Sequence, residues 1–342
     1  MVLSEIAAIV ISFVITMAIT PFAIRYFKLV GITTRDIHKR GEPLVPQSIG
    51  VPVAAGVVGS LLFYIFVQVF VYGNYTHSTY VFAALTSIIL VMFGGFLDDI
   101  NSSQVNSKKY NEGKKGLKVW QKVLLTIPAA IPMMAIMAGD TVLTLPLVGS
   151  VNIGILYPLL VVPLAIVVSS NMVNMLGGFN GIEAGMGLVY TFSLGLFALM
   201  HGKLLSSIIF FTASASLLAI LRYNFYPAKI LPGDSIQYLM GSVVAIGAIL
   251  GGIEAAAIIT MIPFFIQAML KFYSRYRLGG FPADMGLLQS DGTIKSRYGK
   301  NIWSLTHIVM NLGRFKEWQI VVIFMAIQTA FSLIPILTSM LL

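Results

Sequence analysis

Apolar runs of about 20 residues recur along this chain, and about 20 is the length a helix needs to cross a hydrocarbon core of ~30 Å. They fall near 3–27, 50–72, 79–97, 119–138, 154–174, 182–200, 204–221, 235–251, 254–273 and 318–340. The pattern predicts an all-α polytopic membrane protein with about ten transmembrane helices. The first run is too long for a removable signal peptide and lacks a small-residue cleavage pattern. One segment, 139–153, alternates polar and apolar residues around Pro146 and Gly149, which predicts a small external β-hairpin. Neither a linker nor a repeat divides the chain. Residues 1–342 read as a single integral-membrane domain with cytoplasmic loops near 28–49, 98–118, 222–234 and 274–317.

Composition supports this reading. Hydrophobic residues make up 57% of the chain and charged residues 10%, against about 25% charged in soluble domains. With no cysteine, disulfide and thiol chemistry are excluded. Charge then sets the orientation, because basic loops stay cytoplasmic. If the spans alternate, Lys203 is the one residue of 22 Lys and Arg that falls on the outer face, which places both termini outside. Of 13 carboxylates, Glu5, Asp140 and Glu254 fall outside, so the polar chemistry gathers on the cytoplasmic side. The basic run 108–118 reads as a topology signal drawn to anionic membrane lipid. No nucleic-acid partner is expected.

Three polar clusters interrupt the oily pattern at cytoplasmic span ends. In SNMVNMLGGFNGIEAG (170–185), amides and a carboxylate sit where such groups are costly. Asn171 and Asn174 share one helical face. Gly177 and Gly178 allow close approach of a ligand, whereas Gly181 and Gly185 fit helix packing equally well. FGGFLDD (93–99) ends in adjacent carboxylates, whose repulsion calls for a nearby cation, metal or lysine; a hydrated helix end is the plain alternative. LPGD (231–234) presents Asp234 before the eighth span. Hard oxygen donors without a histidine–cysteine set suit Mg²⁺, or Mn²⁺, better than zinc. Basic residues nearby would hold phosphate oxygens. The residues alone point to phosphoryl transfer at the membrane surface between a water-soluble and a lipid substrate. A transporter would instead place its polar groups near the midplane in repeated halves. A CDP-alcohol phosphotransferase would need several closely spaced aspartates, and that spacing is absent from the sequence.

The motifs FGGFLDD (93–99), NMVNMLGGFNGIEAG (171–185) and NFYPAKILPGDSIQYLMG (224–241), with Pro46–Gly50, resemble those of the polyprenyl-phosphate N-acetylhexosamine-1-phosphate transferases. Within that superfamily the chain is most similar to the archaeal and eukaryotic UDP-GlcNAc:dolichyl-phosphate GlcNAc-1-phosphate transferase branch, over roughly residues 40–275. The resemblance implies a Mg²⁺-dependent enzyme that transfers GlcNAc-1-phosphate from UDP-GlcNAc to a polyprenyl (dolichyl) phosphate. The products would be polyprenyl-diphosphate-GlcNAc and UMP, the first step of lipid-linked oligosaccharide assembly for N-glycans. The alternative is the same reaction with another UDP-N-acetylhexosamine, for cell-wall or surface polysaccharide; a polytopic transporter is the distant one.

By motif, the resemblance makes Asn174 and Asp234 the metal-binding residues and Asp98, Asp99 and Lys122 the catalytic set. It makes Asn171, Asn180, Glu183 and Leu231 substrate contacts. The chain departs from the family after the ninth span. RYRLGGFPAD (275–284) stands where relatives carry a His/Arg cluster, and Arg275 or Arg277 would supply the missing cation. His307 reads better as an interfacial histidine than as a site residue, and His38, His77 and His201 show no ligand spacing. The resemblance also implies a homodimer and an archaeal plasma membrane, or an endoplasmic reticulum membrane if the chain is eukaryotic, with the active site cytoplasmic.

The orientation is testable in this cysteine-free chain. Lys114→Cys should react with an impermeant maleimide only from the cytoplasmic side, and Ser150→Cys only from outside. The reverse pattern would invert the topology.

Overall fold

The computed structural model describes residues 3–103, 116–145 and 149–341. Lys108, Lys109, Lys114 and Lys115 of the basic run, and Pro146 of the expected hairpin, lie outside the described residues. Helices α1 (Leu3–Val30), α2 (Gly50–Phe66), α3 (Ser78–Asn101), α4 (Val119–Thr126) and α5 (Ile131–Ala135) come first. After them run α6 (Val162–Val173), α7 (Ile182–Met200), α8 (Leu204–Asn224) and α9 (Gly233–Gly251). The last are α10 (Glu254–Thr260), α11 (Ile262–Leu278), α12 (Leu305–Leu312) and α13 (Glu317–Leu341).

Among the described residues, seven helices are long and apolar enough to cross a membrane: α1, α2 with its π-helical continuation to Val71, α3, α7, α8, α9 and α13. Helices α10 and α11, bent by 60° at their junction, make an eighth if they form one span. The two remaining apolar runs are interrupted. Residues 119–138 divide into α4, a 3₁₀ turn at Pro128–Ala130 and α5, and Tyr157–Val173 forms a helix of 17 residues that opens as a π turn. Prolines mark the starts of the pieces, although Pro21 of α1 and Pro335 of α13 lie inside unbroken helices. Pro128, Pro132, Pro158 and Pro163 each lie in the first turn of a new helical piece. There a missing N–H costs nothing, whereas inside a continuous helix it would remove a bond.

Helix α9 is the centre of the bundle, buried along nearly its whole length and packed by α2, α3, α6 and α8. Close approach in a bilayer needs small residues, since lipid tails are as apolar as leucine. A Cβ on Gly95 of α3 would stand 2.7 Å from the Asp234 carbonyl oxygen, and one on Gly241 of α9 would stand 2.4 Å from that of Ser169. Polar bonds add direction further out. Ser12 of α1 shares a 2.6 Å hydrogen bond with Ser216 of α8, and Thr16 donates to the same hydroxyl at 2.9 Å.

Three small sheets cap the bundle. Strands β1 (Thr33–Arg35) and β2 (Leu44–Pro46) pair antiparallel, as do β3 (Val142–Leu145) and β4 (Gly149–Asn152) within the segment expected to form a hairpin. Strands β5 (Leu287–Leu288), β6 (Thr293–Lys295) and β7 (Phe315–Lys316) form the third. The chain from Pro46 to Ile49 lies along the residues before α9. Leu231 N donates to Pro46 O at 2.7 Å, and Ser48 N and Ile49 N donate to Leu231 O and Pro232 O at 3.0 Å each. This zipper puts the start of α2, the end of α3 and the start of α9 at one end of the bundle.

The glycine contacts predict a graded response to an added methyl group. Gly241→Ala should lower stability by about 1–3 kcal/mol, the usual cost of overpacking, seen as a reduced Tm in detergent. Gly280→Ala, whose Cβ would meet nothing within 4 Å, should leave Tm unchanged. Equal Tm values for the two variants would sink this packing account.

Candidate active site

The doublet Asp98–Asp99 ends α3, where the helix dipole disfavours negative charge. The structure resolves the conflict by dividing the pair. Asp99, 2% exposed, turns to the first turn of α9. One oxygen accepts the Asp234 N–H at 2.6 Å; the other accepts the Ser235 N–H at 3.2 Å and the Ser48 hydroxyl at 2.6 Å. A carboxylate at the wrong end of one helix thus caps the right end of another. The turn has no room for a side chain at Gly233, which has φ of +73° and whose Cβ would lie 2.4 Å from Asp99 Oδ1.

Asp98 points elsewhere. Its Oδ2 pairs with Lys122 Nζ of α4 at 2.6 Å, and its Oδ1 accepts the Leu117 N–H at 2.5 Å. The same ammonium pairs with Asp234 Oδ2 at 2.5 Å, and the Asn174 side-chain amide, at the end of α6, donates to that oxygen at 3.1 Å. Four residues from four helix ends therefore converge: Asp98, Lys122, Asn174 and Asp234. Among the described residues no three His, Asp or Glu side chains form a metal-sized group. Two carboxylates and an amide oxygen remain a hard donor set that suits Mg²⁺, which usually takes one or two carboxylates and completes its shell with water and substrate phosphate.

Beside this cluster opens a cavity of about 280 Å³, lined by Asn174, Asn180, Glu183, Leu231 and Asp234 together with the loop after β1. Asn180, at 2% exposure, donates its side-chain amide to Asp36 at 2.9 Å and its backbone N–H to Glu317 at 2.8 Å. The same Glu317 oxygen lies 3.3 Å from His38 Nδ1, and the His38 ring stacks on Phe179 at 4.9 Å. Glu183 accepts the Gly178 N–H at 2.8 Å through Oε1. Its Oε2, His38 Nε2 and Glu317 Oε2 are buried without a hydrogen-bond partner. Asp36, His38 and Glu317 escaped the sequence reading because the first two lie far from Glu317 and Asn180 along the chain and only the fold joins them.

Asn171 borders a second space, with its amide on Val167 O at 2.9 Å and Thr126 Oγ1 at 3.3 Å. The expected arginines do not enter either cavity. Arg275 is exposed, with its guanidinium 5.1 Å from the centre of the Phe281 ring, and Arg277 is exposed one residue from the end of α11. The cation that α11 does bring to the site is buried Lys271, paired with Asp284 Oδ2 at 2.6 Å. Burial pushes the Asp284 carboxyl above the ordinary carboxylate range, against the pull of the lysine. His307 is fully buried: burial holds its pKa below the usual histidine value, and its ring nitrogens meet Trp303 N at 3.2 Å and Ala283 O at 3.0 Å.

The model of glycosyl transferase family 4 matches residues 81–252, which contain Asp98, Asp99, Lys122, Asn174, Asn180, Glu183 and Asp234. The chain is also similar to two archaeal proteins whose provisional name is UDP-N-acetylglucosamine–dolichyl-phosphate N-acetylglucosaminephosphotransferase. The Saccharolobus solfataricus protein is 30% identical over 98% of this chain and 97% of its own length. The Sulfolobus acidocaldarius protein is 32% identical over 96% and 94%. A Dictyostelium discoideum protein bearing that name without the qualifier is 25% identical over 87% of this chain and 79% of its own. Matched over half its length by the family model and over nearly all of it by these relatives, the chain belongs to glycosyl transferase family 4 as an integral membrane enzyme.

Proposed function

We propose that this protein transfers GlcNAc-1-phosphate from UDP-GlcNAc to a polyprenyl (dolichyl) phosphate, releasing UMP. The observation that carries the reading is the convergence of Asp98 and Asp234 on the Lys122 ammonium, with Asn174 bonded to Asp234, beside the 280 Å³ cavity that Asn174 and Asp234 line. The relatives' names supply the substrates. Charge segregation supports ten crossings with both termini outside and the site facing the cytoplasm, where nucleotide sugars are made. The archaeal relatives support a plasma membrane.

In this reading the cavity takes the nucleotide sugar, with Asn180, Glu183 and Leu231 along its wall. A hydrogen-bonding ligand there would satisfy the orphaned Glu183 and His38 atoms, which otherwise carry a desolvation cost. An oxygen of the lipid phosphate forms a bond to the sugar-bearing phosphorus. The bond from that phosphorus to the bridging oxygen breaks, and UMP leaves with the electron pair. Lys122 faces the charge that grows on UMP, and a few ångströms of misplacement would forfeit that stabilisation. Asp98, Asp234 and the Asn174 amide oxygen would hold Mg²⁺, with Mn²⁺ as the alternative ion. That ion would neutralise diphosphate charge. Asp99 acts as a positioning residue, since both its oxygens are already held by α9 and Ser48. That favours attack by the lipid phosphate itself over an intermediate on Asp99.

The reading is tested by UMP release from purified protein in detergent. Release should require a UDP-sugar, a polyprenyl phosphate and a divalent cation together, with UDP-GlcNAc preferred in a panel of UDP-N-acetylhexosamines. Preference for another sugar would move the protein to a different polysaccharide, and no UMP under any combination would refute the proposal.

The division of the aspartate doublet yields a further expectation. Asp234→Asn and Asn174→Ala should each keep a near-normal Tm while kcat falls about 100-fold or more, the scale of a lost transition-state contact, and Asp98→Asn should lose as much kcat. Asp99→Asn should lower Tm as well, because a charged hydrogen bond is worth about 1.5–3 kcal/mol and Asp99 accepts three. An Asp99→Asn protein with normal Tm and lost activity would return Asp99 to direct chemistry.

A further inference from the structure

The second space, about 210 Å³, lies between the site ends of α6 and α11, walled by Lys122, Asn171, Asn174, Lys271, Phe281 and Asp284. Asn174 and Asp284 also line the larger cavity, so the two spaces share a wall. Lys271 is nearly buried, its side chain 7% exposed, and donates to the Pro282 carbonyl at 2.7 Å besides pairing with Asp284. A buried ion pair contributes little to stability that apolar side chains of similar volume would not. A lysine kept at this depth beside an open space is therefore placed for something other than stability.

A third, apolar space continues along the same helices. It measures about 160 Å³ and is lined mostly by apolar residues, among them Met172 of α6, Val244 of α9, Met261 at the α10–α11 bend and Phe265 of α11, with Glu254 at the start of α10 as its one charged residue. Phe265 and Lys271 are six residues apart on α11, about 9 Å along the helix. Met172 and Asn174 are two apart on α6. An oily slot thus runs toward a polar chamber that holds a lysine. That sequence of surfaces matches one kind of molecule, an isoprenoid chain ending in a phosphate.

We infer that Lys271 holds the phosphate of the lipid acceptor, and that Asp284 occupies the lysine until that phosphate arrives. The inference rests on the transferase reading above and adds the place of its second substrate. The Asp284 carboxylate is the protein's own anion on that ammonium, and the segment 282–285 is held so as to keep it there. Thr306 Oγ1 donates to Asp284 O at 2.8 Å, Gln267 Nε2 to Asp284 Oδ1 at 3.2 Å, and Arg297 to Met285 O at 3.1 Å. A phosphate offers more acceptor atoms and more charge than the carboxylate, so Lys271 pairs with it preferentially. Because Lys122 lines the same chamber while bridging Asp98 and Asp234, a phosphate on Lys271 lies next to the cluster that faces the nucleotide diphosphate.

The test separates acceptor from donor. In Lys271→Met the KM for a polyprenyl phosphate should rise roughly 10- to 100-fold, the loss of one charged hydrogen bond, with the KM for UDP-GlcNAc unmoved. Lys271→Arg should recover most of the acceptor affinity. The double variant Lys271→Met/Asp284→Asn leaves no unpaired carboxylate behind, and it should keep the acceptor defect. If the double variant instead regains the normal acceptor KM, Lys271 serves only to neutralise Asp284 and the inference is wrong. Parallel increases in both KM values would overturn it too. Binding of radiolabelled polyprenyl phosphate without nucleotide, compared between wild type and Lys271→Met, reads the same contact independently of turnover. A wild-type protein that binds the lipid through Lys271 but releases no UMP would count against the transferase reading alone.

Discussion

The contact on which the site depends is the meeting of two helix ends through one carboxylate. Helix α3 closes with its dipole pointing negative, and α9 opens with unpaired N–H groups. Asp99 belongs covalently to the first and accepts hydrogen bonds from the second. Neither end is comfortable alone, and each satisfies the other. Once they are joined, Asp98 lies about 100° further round α3, and Asp234 occupies the first turn of α9. Both then reach the single ammonium of Lys122. The close backbone approach at Gly95 is the steric condition for that union, since any side chain there would wedge the two helices apart.

Much of this was legible in the residues, and the exceptions have physical reasons. The ends of α1, α2, α3, α7, α8, α9 and α13 fall close to the edges of the apolar runs, because in a bilayer hydropathy and span are the same property. Around Pro128 and Pro132 the run is equally oily but the helix breaks, and around Pro158 and Pro163 it changes from π to α winding, neither of which hydropathy registers. The doublet 98–99 announced a need for compensating charge. It did not announce that lysine would serve one member and a helix terminus the other. The cation of α11 was sought at Arg275 and Arg277, where the charge is conspicuous. They differ in depth: Lys271 is a turn nearer the bundle and buried, and the arginines are exposed beyond it.

The polar network around Asn180 lay outside any local pattern. Asp36, His38 and Glu317 look like ordinary loop or helix-end residues in sequence, yet they assemble into a buried set beside the larger cavity. Buried polar groups are costly unless satisfied, and here several are only partly so. Unpartnered buried atoms also occur away from the cavity, at Glu5 and Gln328 for example, but those of His38 and Glu183 lie on its wall, where a ligand could complete the bonding.

Glu317 has a consequence beyond its hydrogen bonds. It opens α13, yet its carboxylate meets His38, in the loop that follows α1, and the backbone of Asn180 at the start of α7. The wall of the larger cavity is thus fastened by a residue some 280 positions downstream of its first member. During synthesis the earlier helices can enter the bilayer and pack while this wall is still open. The pocket becomes whole only when α13 takes its place, so a chain that stops short of its last helix has a fold but no finished pocket.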